Sequence, residues 1–153
     1  MSAAALIAVA ALAEDQAAAL RALRDATSGT NSTDWVCNGT HPQVNCTAAG
    51  RVTGLDLGNL GLTGTLPTEL GVLESLTRLM LFENRLSGSV PEQISELTAL
   101  EYLDVTQNEL SGTITSQIGL LGGLQDLWLG QNRLSGTIPS QIGQLGKLGG
   151  LGL

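Results

Sequence analysis

The sequence repeats itself every 24 residues over its last two thirds, and this period constrains the fold more than any other feature. Leucines recur in step from Leu76 and Leu79 onward, and an asparagine keeps the same step at Asn84, Asn108 and Asn132. A unit this short cannot bury its own apolar face, so successive copies have to stack. The period therefore predicts an α/β solenoid.

The copies share the pattern L-x-x-L-x-L-x-x-N-x-L, with single replacements in some of them. The alternating segment predicts a short strand whose leucines face the core, while the residues between them face outward. Stacked copies would pair these strands in a parallel sheet. The asparagine side chain can hydrogen-bond backbone groups of neighbouring turns, which predicts a structural ladder of Asn84, Asn108 and Asn132. Replacing Asn108 by leucine should leave those backbone groups without a hydrogen-bond partner and lower the free energy of unfolding by about 1–3 kcal/mol.

The copies continue with L-[ST]-G-x-[LVI]-P and then with a short helical turn such as Ile94 to Leu97. This extended motif resembles plant-type leucine-rich repeats, which occur in receptor-kinase ectodomains and in polygalacturonase-inhibiting proteins. The resemblance covers residues 51–153, with four full 24-residue copies and the strand of a fifth. It implies a right-handed superhelix with a parallel β-sheet on its concave face. Two positions depart from the pattern, since Leu60 replaces the asparagine in the first copy and Thr115 replaces the proline in the third.

The segment before the repeats is alanine-rich and is predicted to form an N-terminal cap over residues 14–50. Apolar residues at three- and four-residue spacing predict an amphipathic helix from Glu14 to about Thr27. Residues 1–13 are apolar, and Ala11-Leu12-Ala13 has the small-x-small form of a signal-peptidase site. No Lys or Arg precedes this stretch, so the alternative is a hydrophobic extension of the helix.

The two cysteines, Cys37 and Cys46, lie nine positions apart in the loop of the predicted cap. They could be free or metal-bound, although two thiols and His41 fall short of a usual zinc set. The resemblance extends to this cap, where Trp35 and the G-R-V-T-G-L-D-L segment match, and it implies a disulfide and an oxidising, extracellular compartment. Three sequons in the same loop predict glycosylation, with a plain polar loop as the alternative, at Asn31, Asn38 and Asn45.

The outward positions of the predicted strands hold three of the four aromatic residues of the chain. The repeat assigns core positions to leucines, so core packing does not explain these aromatics. The predicted binding residues on the concave face are Arg78, Met80, Phe82, Tyr102, Asp104, Asp126 and Trp128. Met80, Asp104 and Trp128 should form one row across neighbouring strands. The alternative is that the aromatics only cover one another across strands.

Charge and motif content exclude several other functions. The net charge is −7, so no basic field favours nucleic acid as a partner. After the first residues, no apolar run approaches the length of about 20 residues that spans a bilayer. Nucleophile-elbow, P-loop and metal-binding helix motifs are absent from the sequence, and His41 is the single histidine. We therefore predict no enzyme activity, no cofactor and no metal site.

The resulting prediction is a secreted or cell-surface recognition module that binds a protein, peptide or glycan through its concave face. One alternative is a structural protein that binds ice or wall polysaccharide through a column on the flank of the solenoid, formed by Thr65, Ser89, Thr113 and Thr137. For this column we favour a hydrogen-bonding second strand of the plant-type repeat. Another alternative is an inhibitor of a wall-degrading enzyme. No capping sequence follows the last strand, so we expect either self-association through this uncapped repeat or a longer product.

Overall fold

The computed structural model describes residues 3–28, 37 and 42–153 and shows a solenoid with strands on two sides. It begins with helix α1 (Ala3–Ala26). The strands of the described residues are β1 (Thr27–Ser28), β2 (Val44–Cys46), β3 (Val52–Asp56), β4 (Thr63–Thr65), β5 (Arg78–Met80), β6 (Arg85–Ser89), β7 (Tyr102–Asp104), β8 (Glu109–Thr113), β9 (Asp126–Trp128), β10 (Arg133–Ser135) and β11 (Gly150–Gly152). Short 3₁₀ helices span Thr68–Val72, Glu92–Glu96, Ser116–Leu120 and Ser140–Gln144. Asn31, Asn38, Trp35 and His41 lie outside the described residues.

The main sheet has the strand order β11-β9-β7-β5-β3-β2, and its repeat strands run parallel. Equivalent residues pair laterally, as Leu55 with Leu79 and Leu103 with Leu127. These leucines are buried together with those of the other repeat columns, and they form one continuous core. The predicted leucine-rich repeat solenoid is therefore confirmed. The antiparallel strand β2 at its N-terminal edge was not predicted.

A second sheet, ordered β1-β4-β6-β8-β10, follows the turn after each asparagine. Its strands are staggered, because Thr65 pairs with Ser87 and Ser89 pairs with Ser111, a step of 22 residues and not 24. Serine hydroxyls add a ladder between neighbouring strands of this sheet. Ser87 Oγ donates to the Gly64 carbonyl at 3.2 Å, and Ser111 Oγ donates to the Gly88 carbonyl at 3.4 Å.

The asparagine side chains join each turn to the one before it, as predicted from their spacing. Asn108 Oδ1 accepts from the Leu86 N–H at 2.9 Å, and its Nδ2 donates to the carbonyls of Leu81 at 2.9 Å and Val105 at 3.1 Å. Asn84 and Asn132 make the corresponding bonds one repeat earlier and later. Because Asn84 and Asn108 are buried, these bonds satisfy backbone groups that water cannot reach.

The residue before each ladder position adopts a left-handed backbone although it is not glycine. Asn59, Glu83, Gln107 and Gln131 all have φ between 53° and 55°. This conformation turns the chain from the main sheet into the second one, where the N–H of Gln107 donates to the Gly130 carbonyl. Side chains other than Gly, Asn and Asp adopt it only at a cost of about 1 kcal/mol, so the packing of the repeats must impose it.

The N-terminal cap covers the first repeat with α1. Leu20 and Leu23 are buried in the common core, and Gln16 Oε1 accepts from the Val52 N–H at 2.7 Å. The helix begins at Ala3 and continues through Glu14, as the alternative of a hydrophobic extension expects, because alanine and leucine before Glu14 favour the helical backbone. The helix thus includes most of residues 1–13, whose removal as a signal peptide stays a prediction.

A disulfide joins Cys37 to Cys46, with Cα atoms 5.7 Å apart. The pairing implied by the family resemblance is confirmed, and the alternatives of free or metal-bound cysteines are wrong. Cys46 belongs to β2, which pairs antiparallel with β3. The disulfide therefore attaches the cap loop directly to the edge of the main sheet.

Thr115 takes over the role of the proline that the third repeat lacks. Its backbone (φ −66°, ψ 143°) is close to that of Pro91 (φ −67°, ψ 143°) before the corresponding 3₁₀ helix. The Thr115 hydroxyl accepts from the Gln117 N–H at 3.2 Å, a side-chain cap that proline cannot make. This departure from the repeat pattern therefore leaves the local fold unchanged.

Apolar side chains of the last repeat are partly exposed to solvent. Ile138, Leu151 and Leu153 are all exposed, and Leu134 and Leu148 are only half-buried. An open depression of about 320 Å³ lies among Leu129, Leu134 and Leu153. The expected self-association through this repeat stays a prediction.

Candidate ligand-binding face

The main sheet aligns the predicted binding residues in lateral rows. Strand pairing places Arg78 beside Tyr102 and Tyr102 beside Asp126 in one row. A second row contains Met80, Asp104 and Trp128, in the order expected from the repeat. Because the strands alternate, these residues point away from the leucine core. The predicted positions thus lie together on one face, here called the concave face.

The N-terminal half of this face is packed against itself. The guanidinium carbon of Arg78 lies 5.3 Å from the centre of the Tyr102 ring, a cation–π distance. The ring of Phe82 covers Gly58, since a Cβ at that glycine would come within 2.5 Å of the ring. The Tyr102 hydroxyl donates to Gln125 Oε1 at 3.3 Å. Each of these aromatic groups therefore has a partner within the chain.

Trp128 lies across the glycine-rich strand β11. A Cβ at Gly152 would collide with its ring, and one at Gly150 would lie 3.1 Å from it. The Trp128 side chain is nevertheless 40% exposed. The rings of Phe82 and Trp128 therefore each lie on a glycine of an adjacent strand. Strand glycines leave room for an aromatic ring that no larger residue would allow.

Two carboxylates flank the Trp128 ring. Asp104 is its lateral neighbour, and Asp126 lies two residues before it on the same face. Asp104 Oδ1 accepts from the Thr106 N–H at 2.9 Å and from the Thr106 hydroxyl at 2.6 Å, which fixes the orientation of the carboxylate. This surface combines a partly exposed aromatic ring with two carboxylates, of which Asp104 is held in a fixed orientation.

Asn45 is an unexpected member of the same face. It pairs with Gly54 in the strand arrangement, and its side chain lies over that glycine, with Nδ2 3.0 Å from where a Cβ would stand. Asn45 is exposed, as a glycan acceptor has to be. The sequence did not predict this position because strand β2 lies outside the repeat pattern. Glycosylation of Asn45, and of Asn31 and Asn38 outside the described residues, stays a prediction.

The column of Thr65, Ser89, Thr113 and Thr137 is exposed on the second sheet. The stagger of that sheet separates its members, since the lateral neighbour of Thr65 is Ser87 and that of Ser89 is Ser111. Charged groups are placed among them, including Arg133, which forms a 2.9 Å ion pair with Glu109. The column is thus one diagonal of a mixed surface and not an unbroken hydroxyl array.

Two kinds of site are absent from the part of the chain that the structure describes. No group of three or more His, Cys, Asp or Glu side chains there could hold a metal ion. Within residues 3–28, 37 and 42–153, no helix is both long and apolar enough to span a membrane.

Comparison with known proteins agrees with this architecture. The Leucine Rich Repeat family model matches residues 75–97 and 123–145. Receptor-like kinase TMK2 of Arabidopsis thaliana is 36% identical over 73 residues, which cover 44% of this chain and 8% of that protein. The chain thus spans only a small part of this curated relative.

Solved structures extend the similarity to almost the whole chain. The BIR3–SERK2 complex from Arabidopsis thaliana contains a chain that is 35% identical, with a TM-score of 0.77 over 87% of this chain and 77% of that one. The plant peptide hormone receptor RGFR1 in complex with RGF2 is 37% identical, with a TM-score of 0.65 over 73% of this chain and 20% of that one.

The fold and the repeats define a leucine-rich repeat protein with a capped solenoid. More specifically, the chain belongs to the plant-type leucine-rich repeat family and is similar to the ectodomains of plant receptor kinases.

Proposed function

We propose that this chain is an extracellular recognition module that binds a protein or peptide partner through its concave face. The observation that carries the proposal is Trp128, a large aromatic side chain that is 40% exposed and lies beside Asp104 in a row of outward residues. Exposed tryptophan and arginine dominate the binding energy of many protein interfaces. Trp128 lies outside the leucine core, so packing of the core does not require a tryptophan at this position.

The similar proteins support the same reading. The BIR3–SERK2 structure is a complex of two proteins, and RGFR1 is described as a peptide hormone receptor in complex with RGF2. The Cys37–Cys46 disulfide favours an oxidising compartment outside the cytosol. Binding of this kind needs complementary surface and no catalytic group.

The proposal is tested by affinity capture from the extracellular fluid of the source organism. The wild-type chain, Trp128→Ala and Leu120→Ala are immobilised in equal amounts, and captured proteins and peptides are identified by mass spectrometry. Leu120 is the matched control because it is 63% exposed but lies on a 3₁₀ helix outside both sheets. We expect partners to bind wild type and Leu120→Ala but not Trp128→Ala. Equal capture by all three variants would contradict the proposal.

The captured material also separates the remaining alternatives. A wall-degrading enzyme among the partners, inhibited in an activity assay by wild type but not by Trp128→Ala, would identify the chain as an enzyme inhibitor acting through the same face. Retention on insoluble wall polysaccharide that is lost in Thr113→Ala but kept in Trp128→Ala would instead favour the second sheet as the binding surface.

A further inference from the structure

We infer that the C-terminal half of the concave face, formed by Asp104, Asp126 and Trp128, binds a cationic side chain of the partner. The partner would be an extended peptide segment that carries lysine or arginine. This inference deepens the proposed function and rests on it. It names the chemistry of the ligand and the part of the face that recognises it.

The charge distribution of the described surface favours a cationic partner. The outward rows of the main sheet contain the carboxylates of Asp56, Asp104 and Asp126 and a single guanidinium, that of Arg78. Arg78 is positioned over the Tyr102 ring, and its strand β5 is two strands away from the strand of Trp128. The second sheet carries Arg85 and Arg133 on its own strands. Complementary potential across an interface steers association and fixes orientation.

The local geometry fits one cation. Neighbouring strands lie about 4.8 Å apart, and alternate residues of a strand lie about 6.6 Å apart. The Trp128 ring and Asp126 Oδ1 both lie over Gly150 of β11. A guanidinium or ammonium group above the ring would therefore lie beside Asp126, with Asp104 on the other side of Trp128, one strand spacing away. Aromatic faces attract cations, most strongly when the ring is tryptophan.

The carboxylates of Asp104 and Asp126 differ in their hydrogen bonds within the chain. Asp104 is held by Thr106, and both bonds go to Oδ1, so its second oxygen can accept from a ligand. The Asp126 carboxylate has no hydrogen bond or ion pair within the described residues, and its Oδ1 lies directly above Gly150. The oriented carboxylate of Asp104 would accept a directed hydrogen bond from the ligand, and the Asp126 carboxylate would add negative charge.

The N-terminal half of the face offers no equivalent site. Asp56 has Met80 as its lateral neighbour, and the nearby aromatic ring of Phe82 already covers Gly58. Asp56 therefore has the same charge as Asp104 and Asp126 but lacks an exposed ring beside it. Asp56→Asn is accordingly a matched control that changes the net charge equally.

The inference is tested with a phage-displayed library of random dodecapeptides selected on the wild-type chain. Enriched peptides are sequenced, and representative synthetic peptides are titrated against Trp128→Ala, Asp104→Asn, Asp126→Asn and Asp56→Asn by fluorescence anisotropy at low and high salt. We expect lysine and arginine to be enriched several-fold over aspartate and glutamate. Affinity should fall about tenfold in Trp128→Ala and in the double variant Asp104→Asn/Asp126→Asn. It should change less than twofold in Asp56→Asn and should weaken as salt rises.

The outcomes distinguish this inference from the proposed function. Peptides that depend on Trp128 but show no preference for lysine or arginine would overturn the inference and leave the concave face as the binding surface. An equal loss in Asp56→Asn and Asp126→Asn would also overturn it, because the effect would then be one of total charge. Selected peptides that bind Trp128→Ala as well as wild type would contradict the proposed function itself. Circular dichroism of each variant shows that a loss of binding is not a loss of fold.

Discussion

The interior asparagine ladder and the concave face share the same 24-residue period but use their polar groups in opposite ways. Asn84 and Asn108 are buried, and their amides bond backbone groups of two adjacent turns. On the face, the Asp126 carboxylate has no hydrogen-bond partner within the described residues, and Trp128 remains partly exposed. The period therefore determines which positions recur but not what they are used for. Burial decides whether a repeated polar residue serves the fold or a partner.

The sequence also varies differently in the two regions. The ladder position is asparagine in three successive copies, whereas the lateral row of the face reads Asp56, Met80, Asp104 and Trp128. A buried amide must match both a donor and acceptors, so few side chains can replace it. An outward position has no such requirement. The following predictions test this division, beginning with the largest expected effect.

Asn108→Leu should destabilise the chain by about 3 kcal/mol, because it leaves the Leu86 N–H and the carbonyls of Leu81 and Val105 without their partner. Urea unfolding followed by circular dichroism measures this loss. Asn132→Leu is the matched control, since Asn132 makes equivalent bonds but is only half-buried. Its loss should be smaller because water can reach the stranded groups. Equal losses in the two variants would show that burial does not set the importance of the ladder.

Gln107→Asn should stabilise the chain by about 0.5–1 kcal/mol, because Gln107 has φ 55° and asparagine tolerates the left-handed region better. Asn59 already occupies the equivalent position of the first repeat with φ 53°. The melting temperature of the variant measures the gain. An unchanged or lower value would mean that the glutamine side chain contributes a contact that offsets the backbone cost.

Arg78→Met should cost about 0.5 kcal/mol of stability, since the exposed Arg78 interacts with the Tyr102 ring mainly at the surface. Urea unfolding in parallel with Tyr102→Leu and with the double variant isolates the pairwise energy. A coupling above about 1.5 kcal/mol would contradict the view that the face contributes little to folding.

Much of the fold could be predicted because the repeat indicates which positions face the core. The leucine columns, the ladder of Asn84, Asn108 and Asn132 and the rows of the main sheet all follow from one period and the alternation of a strand. The disulfide followed from resemblance to the family and not from the spacing of Cys37 and Cys46. The start of α1 does not follow from the sequence, because the apolar residues before Glu14 fit both a cleavable segment and an extension of the helix.

The stagger of the second sheet, the backbone of the turns and the packing of the aromatic rings could not be predicted, because the period contains no information on them. It identifies equivalent positions, but the second sheet pairs residues 22 apart and so displaces its hydroxyl column into a diagonal. Glu83 and Gln107 have a left-handed backbone. Glutamate and glutamine usually avoid this conformation, so the residue types do not indicate it. The packing of Phe82 on Gly58 and of Trp128 on Gly152 depends on ring rotamers, which only three-dimensional packing selects.

The concave face is proposed to bind a partner, while the interior maintains the fold. The most direct measurement determines the unfolding free energy of Trp128→Ala and its affinity for a captured partner on the same preparation, beside Leu120→Ala. We predict an unfolding free energy within about 1 kcal/mol of wild type, because the side chain is partly exposed, together with an affinity at least tenfold weaker. A large loss of stability with unchanged affinity would contradict the account.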